Sequence, residues 1–271
     1  MAISAVLRRP SPQGAGASTP WTWGLGGALL GLMAAVLLFA PARWLADGLG
    51  QASGGQVLLL DPRGTVWTGS AQLVLSGGAG SLGQVALPGR MSWQLRPAWG
   101  GLAGRLNAPC CMAQAMNARL LARWGGAQLA VADHRSNWPA GLLAGLGTPW
   151  NTVQAQGLLD ISTQGLSLEW LEGRIALGGR LQVDAQELAS RLSTVKPMGS
   201  YRLTINGGTV NTMQLETLSG SLQLNGSGQW AGGRLRFNGI ASSTPERLEA
   251  LSNLLNIIGR RDGARAIITV G

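Results

Sequence analysis

Two short stretches share one pattern: Gly220–Gly226 reads GSLQLNG, and Gly233–Gly239 reads GRLRFNG. In both, apolar side chains alternate with polar ones, and glycines stand at the two ends. A period of two puts the apolar side chains on one face of a β-strand, and glycine suits a sharp bend beside it. The two stretches begin thirteen residues apart, which is about one strand plus one turn. The pattern predicts consecutive antiparallel strands bounded by glycines.

The same alternation extends through much of the chain. It is clear in Tyr201–Asn206, in Leu166–Trp170 and in Met91–Arg96, and Gly173–Gly179 repeats the glycine-bounded pattern. One apolar and one polar face are typical of an antiparallel sheet that is wetted on one side. We therefore predict a mainly β fold, a curved and mostly antiparallel sheet with a few short helices.

One helix is predicted near the C-terminus, over about residues 245–258. Ser243 and Glu246 have the spacing of a capping box, Pro245 suits a first turn, and Gly259 is a typical terminator. We expect this helix to pack on the concave apolar face of the sheet through one stripe of side chains. That stripe consists of Leu248, Leu251, Leu255 and Ile258.

Other segments allow weaker predictions. Residues 187–195 favour a second short helix, and 138–146 favour a short helix or turn that begins near a proline. Residues 113–124 fit a helix by propensity, whereas 118–131 also fit strands around a glycine break. Residues 61–64 read DPRG, which is a turn signal after the apolar run that precedes it.

An apolar segment near the N-terminus predicts a membrane anchor. No ionisable residue occurs from Pro10 to Ala42, and the span from Trp21 to Trp44 is roughly 35 Å as a helix, enough to cross a hydrocarbon core of about 30 Å. We expect a disordered tail over residues 1–20, a transmembrane helix over 21–45 and a β-rich domain over 46–271. The anchor residues that we single out are Trp21, Trp23, Leu29, Leu32, Val36, Phe39 and Trp44.

The flanking charges predict an orientation for this anchor. Arg8 and Arg9 precede the apolar segment, whereas Arg43 alone follows it closely and is soon offset by Asp47. The positive-inside rule then places the tail in the cytoplasm and the β-rich domain outside it. A cleaved signal peptide is the alternative, because residues 40–42 read APA, the small-x-small form of a cleavage site.

The charge and the cysteines do not indicate nucleic acid, zinc or redox chemistry. The net charge is +9, but the arginines are scattered and one Tyr and two Phe offer little for base stacking. Cys110 and Cys111 are adjacent, which is not the spacing of a zinc or thioredoxin-like site. A disulfide between neighbours is strained, although it is able to form outside the cytosol.

No set of residues predicts catalysis. The single histidine, His134, is expected to be a surface residue in a polar turn, because its neighbour Asp133 does not by itself make a triad. The twelve acidic residues are dispersed without metal-ligand spacing, and the glycines of 77–80 lack a phosphate-loop frame. We predict a protein that is not an enzyme, with no cofactor and no metal.

Two motifs resemble a known family, the N component of the bacterial type II secretion system. Residues 64–71 read GTVWTGSA, and residues 93–97 read WQLRP at a spacing typical of that family. The residues that carry the resemblance are Gly64, Thr65, Trp67, Gly69, Ala71, Trp93 and Pro97. Replacing Trp67 by alanine is expected to lower stability by roughly 3–5 kcal/mol if its side chain is core.

The resemblance implies a location and a role. It implies a non-enzymatic, single-pass subunit of the bacterial inner membrane, with a cytoplasmic N-terminus and a periplasmic β-domain. Its partners would be other secretion-system subunits and the phospholipid bilayer, with no nucleic acid. The second half of the chain also resembles AsmA-like envelope proteins, some of which convey lipid, so a concave apolar sheet that binds lipid is the alternative function.

Overall fold

The structure is a computed structural model that describes residues 21–78, 80–81, 83–171, 174–231 and 233–271. The chain divides into a unit that ends at Phe39 and a compact unit from Ala40 to Gly271. The tail predicted over residues 1–20 lies outside the described residues, as does Gly173, the first residue of the third glycine-bounded stretch.

The stretch predicted as one helix over 21–45 contains two. Helix α1 spans Trp21–Leu38 and helix α2 spans Ala42–Ala52. Pro41 separates them in an extended conformation (φ −69°, ψ 146°), and helices seldom continue through a proline because it has no N–H to donate. Among the described residues, no helix is both long enough and apolar enough to cross a membrane.

The described residues contain sixteen strands in one sheet, in which every paired strand is antiparallel. The mainly β, antiparallel prediction is confirmed. The strands are β1 (Val57–Gly64), β2 (Thr68–Ser76), β3 (Gln84–Ala86), β4 (Met91–Ala98), β5 (Gly101–Asn107), β6 (Met116–Arg123), β7 (Gly126–Val131), β8 (His134–Pro139), β9 (Gln156–Leu171), β10 (Arg174–Ala189), β11 (Gly199–Asn206), β12 (Thr212–Gly220), β13 (Leu222–Ala231), β14 (Arg234–Ser243), β15 (Arg260–Asp262) and β16 (Arg265–Val270).

The order of the strands in space almost follows the sequence. It runs β1-β2-β4-β5-β6-β7-β9-β10-β11-β12-β13-β14-β16-β15, with β3 paired to β2 and β8 paired to β9. Such a meander requires only short connections, because each strand returns beside the one before it. Consecutive turns therefore alternate between the two ends of the strands.

The two stretches that predict the fold pair with each other, but their glycines do not all mark strand ends. Strands β13 and β14 run through Gly226 and Gly239, which are paired in mid-strand. A Cβ on Gly226 would lie 2.5 Å from Phe237 Cζ, and one on Gly239 would lie 2.9 Å from Phe237 Cε1. These glycines leave room for the buried Phe237 ring, which is why a side chain is excluded there.

Three of the weaker local predictions differ from the structure. Residues 187–195 do not form a helix: β10 continues to Ala189, and Ser190 Oγ then accepts a hydrogen bond from the Leu192 N–H at 3.1 Å. Residues 113–124 do not form a helix either; the alternative, strands over 118–131 around a glycine break, is confirmed, because β6 and β7 form a hairpin there. The predicted turn at 61–64 is a bulge within β1, with Asp61 at φ 48°.

The short helices confirm the remaining local predictions in part. A 3-10 helix spans Ala140–Leu146, and α3 spans Trp150–Val153. A 3-10 turn, Pro245–Arg247, leads into α4, Leu248–Ile258, as predicted near the C-terminus. The capping box is wrong, because Ser243 Oγ donates to the Thr244 carbonyl and no side chain caps the helix.

Three cores lie along the sheet. The N-terminal core packs α2 and the 3-10 helix on β1, β2 and β4, with Met91 and Trp93 at its centre. A small middle core contains Ala140, Ala155 and Leu159. The C-terminal core packs α4 on β11–β16 through Leu251, Leu254 and Leu255, beside Leu222 and Ala241. Trp138 packs against both the N-terminal and the middle core, and Leu188 against both the middle and the C-terminal core, so the three apolar clusters adjoin one another along the sheet.

An ion pair on β10 and β11 makes stability depend on pH. Arg202 donates from Nε and Nη2 to the two carboxylate oxygens of buried Asp184, each at 2.8 Å, and Gln182 adds a further donor. These hydrogen bonds, chiefly those from Arg202, hold the pKa of Asp184 below its usual value. A lowered folded-state pKa contributes stability above the unfolded pKa of about 3.9, and this contribution is lost as the pH falls through the folded pKa.

Asp184→Asn is therefore expected to reduce the acid sensitivity of the domain. Between about pH 6 and about pH 3, the wild-type chain should lose more unfolding free energy than the variant, since only the wild type has this carboxylate to protonate. Urea unfolding at a series of pH values measures the difference. Asp47→Asn, on the exposed surface of α2, is the control and should follow the wild type; equal acid sensitivity of wild type and Asp184→Asn would contradict the assignment.

Candidate interaction surfaces

The two family motifs meet at one packed site in the N-terminal core. Gly69 on β2 pairs with Trp93 on β4, and the Trp93 indole N–H donates to the Val66 carbonyl at 3.0 Å. A Cβ on Gly69 would lie 2.5 Å from Trp93 Cζ2 and 2.7 Å from the Arg63 carbonyl oxygen. The absence of a side chain at Gly69 thus lets the buried Trp93 ring lie against the β1–β2 turn.

The same turn holds the point where the chain enters the β-domain. Thr65 and Thr68 close it, because the Thr65 N–H donates to the Thr68 carbonyl at 2.9 Å and Thr65 Oγ1 accepts from the Thr68 N–H at 3.1 Å. The Val66 N–H donates to the Ala40 carbonyl at 2.8 Å, and Pro41 forms a β-bridge with Thr65. The first motif therefore fastens the incoming chain to the sheet.

The remaining motif residues have structural positions as well. Gly64 ends β1 at φ 86°, a conformation that favours glycine, and Ala71 is fully buried opposite Met91. Trp67 is half-buried, and its carbonyl accepts a hydrogen bond from the Leu95 N–H at 2.6 Å. Pro97 is exposed near the end of β4. Of the two motif tryptophans, Trp93 and not Trp67 is buried in the core. The loss of roughly 3–5 kcal/mol that is expected for a core tryptophan therefore applies to Trp93.

Gly69→Ala is expected to destabilise the β1–β2 turn by about 1–3 kcal/mol, because the added methyl group overpacks a site bounded by backbone. The change should appear as a lower midpoint in urea unfolding of the full chain. Gly83→Ala is the matched control, since a Cβ there has nothing closer than Ser81 Oγ at 3.9 Å. Equal urea midpoints for Gly69→Ala and Gly83→Ala would contradict the prediction, because the β1–β2 turn would then move enough to accommodate the added methyl group.

The predicted anchor residues lie on two helices. Most of them are exposed on α1, Phe39 follows that helix directly, and Trp44 is half-exposed on α2. Helix α2 belongs to the β-domain, where Ala42 and Ala46 are buried against β1. The exposed anchor residues of α1 are Trp21, Trp23, Leu29, Leu32 and Val36.

An apolar surface that the sequence patterns did not reveal crosses the centre of the sheet. Five leucines are paired in one transverse row, through Leu102–Leu120, Leu120–Leu129, Leu129–Leu168 and Leu168–Leu177 contacts between β5, β6, β7, β9 and β10. Directly paired residues point to the same face of a sheet. We call this row, with its neighbours Trp170 and Ile175, the apolar strip.

The apolar strip is only partly covered. Leu106 and Met116 lie four residues from Leu102 and Leu120 on the same strands and pack against the N-terminal core, so the strip continues that core's face. Helix α4 covers the C-terminal core, and that core includes none of the five leucines of the strip. Ile175 in the strip is 63% exposed. The apolar strip is therefore a surface suited to binding a hydrophobic partner.

The described residues offer little for catalysis. They contain no group of three or more His, Cys, Asp or Glu side chains placed to hold a metal ion. His134 lies half-buried at the start of β8, where its backbone N–H donates to Thr163 Oγ1 at 3.1 Å, so its prediction as a surface turn residue is wrong. Cys110 and Cys111 form a disulfide, next to the buried Met112.

Comparison with protein families identifies this chain. The model of the family "Type II secretion system (T2SS), protein N" matches residues 55–269, which is most of the chain. No curated protein and no solved structure gives a significant match. Proteins of this family are components of a secretion system, and the family is not a known enzyme family. The chain belongs to the type II secretion system protein N family.

Proposed function

We propose that this protein is a non-enzymatic subunit of a bacterial type II secretion system, held in the inner membrane with its β-domain in the periplasm. The family match over residues 55–269 carries the proposal, because it covers both motifs and nearly the whole sheet. The membrane location is supported by the uncharged segment from Pro10 to Ala42 and by the charges that flank it. In this position the domain contacts other subunits during export of folded proteins across the outer membrane.

Two features of the domain suit contacts with other subunits. The sheet is open, with β1 and β15 as its terminal strands, and open edges offer backbone groups for pairing with another chain. Strand β9 also exposes the large aromatic side chain of Trp170, a residue type that is enriched at protein interfaces.

Deletion of the gene tests the secretion role. We expect exoproteins to accumulate in the periplasm, and we expect the wild-type gene to restore their release. Cysteine labelling of intact cells with a membrane-impermeant reagent locates the β-domain independently, at an exposed position such as Val210. Normal secretion after deletion would overturn the proposed role, and protection of the label in cells with a permeabilised outer membrane would overturn the periplasmic location.

A second candidate function is supported by the apolar strip. We propose it as an alternative in which the strip binds the acyl chain of a lipid, as the likeness to AsmA-like envelope proteins implies. The strip presents five paired leucines, Trp170 and Ile175 on one face, and none of the five leucines belongs to the core that α4 covers. An apolar surface of this kind suits an acyl chain as well as an apolar protein segment.

Ile175→Asp separates the two functions. If the strip carries lipid, the full chain purified with this change should retain less co-purifying phospholipid by mass spectrometry than the wild type. Val210→Asp is the control, because Val210 is similarly exposed but lies in the β11–β12 turn. Equal lipid content in the wild type, Ile175→Asp and Val210→Asp would overturn the lipid function. A secretion defect in the deletion strain would then support the secretion role as the single function.

A further inference from the structure

Two fully exposed tryptophans stand at neighbouring turns of the sheet. Trp99 lies in the β4–β5 turn and Trp124 in the β6–β7 turn, and their relative exposures are 101% and 103%. Strand β5 joins the two hairpins, since Gly101 pairs with Leu121. Both turns are therefore at the same end of the strands. We call Trp99 and Trp124 the tryptophan rim.

The two turns share a sequence and a geometry. Each reads Trp-Gly-Gly, at 99–101 and at 124–126. The first glycine has φ of 76° in one turn and 80° in the other, which is a conformation that favours glycine. The second glycine faces the backbone of the next strand: a Cβ there would lie 1.9 Å from the Leu120 carbonyl oxygen, or 1.7 Å from that of Trp170. Both hairpins are thus tight, and each holds a tryptophan at its tip.

The chain enters the β-domain at the β1–β2 turn, which faces this end of the strands. Strand β4 runs from Met91 towards Trp99, and β2 pairs with its first half, beginning at Thr68 opposite Gln94. The β1–β2 turn therefore lies beside the middle of β4, about five residues short of Trp99. It binds Ala40 and Pro41, where the uncharged apolar segment ends.

The charge of the rim strands favours an anionic partner. From Met91 to Ala132, which covers both hairpins, the sequence has four arginines and no acidic residue. Basic residues near an anionic lipid surface each contribute about 1 kcal/mol of attraction. Tryptophan rings favour the headgroup level of a bilayer, where the ring is partly buried and the indole N–H stays wet.

We propose that the tryptophan rim inserts into the headgroup region of an anionic phospholipid bilayer and so seats the β-domain on the membrane surface by this end of its strands. Two neighbouring turns place two indole rings in the interface together, and the exposed Arg96 and Arg123, within three residues of Trp99 and Trp124, supply positive charge for the phosphates beside them. The inference goes beyond the secretion role and holds for any partner subunit.

Site-specific fluorescence of the full chain in vesicles tests this inference. The two cysteines of the sequence are joined in a disulfide, so Trp99→Cys and Trp124→Cys each introduce one thiol for an NBD label. In vesicles that contain phosphatidylglycerol, the emission of both labels is expected to be blue-shifted and several-fold brighter. The reference is the same labelled protein in detergent-free buffer that contains urea. Spin-labelled lipids with the nitroxide near the headgroup should quench them.

Two further positions make the result decisive. Trp150→Cys is the matched control, because Trp150 is an exposed tryptophan that precedes β9 at the opposite end of the strands, and its label should stay in water. Leu29→Cys reports separately on insertion of α1, so failure of the proposed anchor is distinguishable from failure of the rim. Labels at 99 and 124 that are as aqueous and as poorly quenched as the label at 150 would overturn the inference.

Discussion

Replacing Trp93 by alanine is expected to lower the free energy of unfolding by about 3–5 kcal/mol. Trp93 is 4% exposed in the N-terminal core, and its indole N–H donates to the Val66 carbonyl. The change leaves a cavity under the β1–β2 turn, and it also leaves that carbonyl without this donor. Urea unfolding of the full chain in a mild detergent, followed by circular dichroism, measures the loss.

The matched control is another tryptophan of the same hairpin. Trp99→Ala removes an equal volume, but Trp99 is fully exposed, so its unfolding free energy should stay within about 0.5 kcal/mol of the wild type. Trp93→Phe should recover part of the loss, because it fills most of the cavity without the indole donor. A Trp93→Ala chain that unfolds like Trp99→Ala would mean that the ring is not packed as described.

Leu251→Ala in α4 is expected to lower the free energy of unfolding by about 2–5 kcal/mol. Leu251 is 0% exposed and packs in the C-terminal core, where α4 covers the last strands of the sheet. Because the helix is only 11 residues long, its stability comes from this packing more than from its own hydrogen bonds. The variant should therefore lose α4 protection in amide hydrogen exchange before the sheet unfolds.

Ile257→Ala is the control for this helix. Ile257 lies on the same helix but is 39% exposed, so its replacement should cost well under half of the Leu251→Ala loss. If both variants lost the same stability, Ile257 would be packed as closely as Leu251, which would contradict the burial described for α4, since alanine is the better helix former at both positions. If neither lost stability, α4 would not be docked on the sheet.

The Trp93 prediction concerns how the family motifs are interpreted. Gly64, Thr65, Gly69, Ala71 and Trp93 are all accounted for by the turn, the paired strands and the core beneath them. These motif residues therefore explain how the incoming chain is fastened to the sheet. The surfaces available for partners lie elsewhere, in the apolar strip, the strand edges and the tryptophan rim.

The local sequence predicted the fold class correctly because strand geometry is a local property. Alternation in Met91–Arg96 and Tyr201–Asn206 follows from a strand period of two, and the amphipathic stripe of α4 follows from a helical period of 3.6. The predicted helix at 187–195 was wrong because tertiary packing overrode propensity. Val195 is buried and Leu188 and Leu192 are partly buried in the C-terminal core, but they reach it from an extended strand and a turn.

The sequence by itself thus determined a mainly β, antiparallel protein with a C-terminal amphipathic helix, and its two motifs indicated the family. Only the tertiary structure decided that Trp93 and not Trp67 is buried, and that Leu102, Leu120, Leu129, Leu168 and Leu177 form one row. The physical reason is register. Which residues of separate strands become neighbours depends on turn lengths and on bulges such as that between Gly178 and Arg180, and a shift of one residue would turn each leucine to the opposite face.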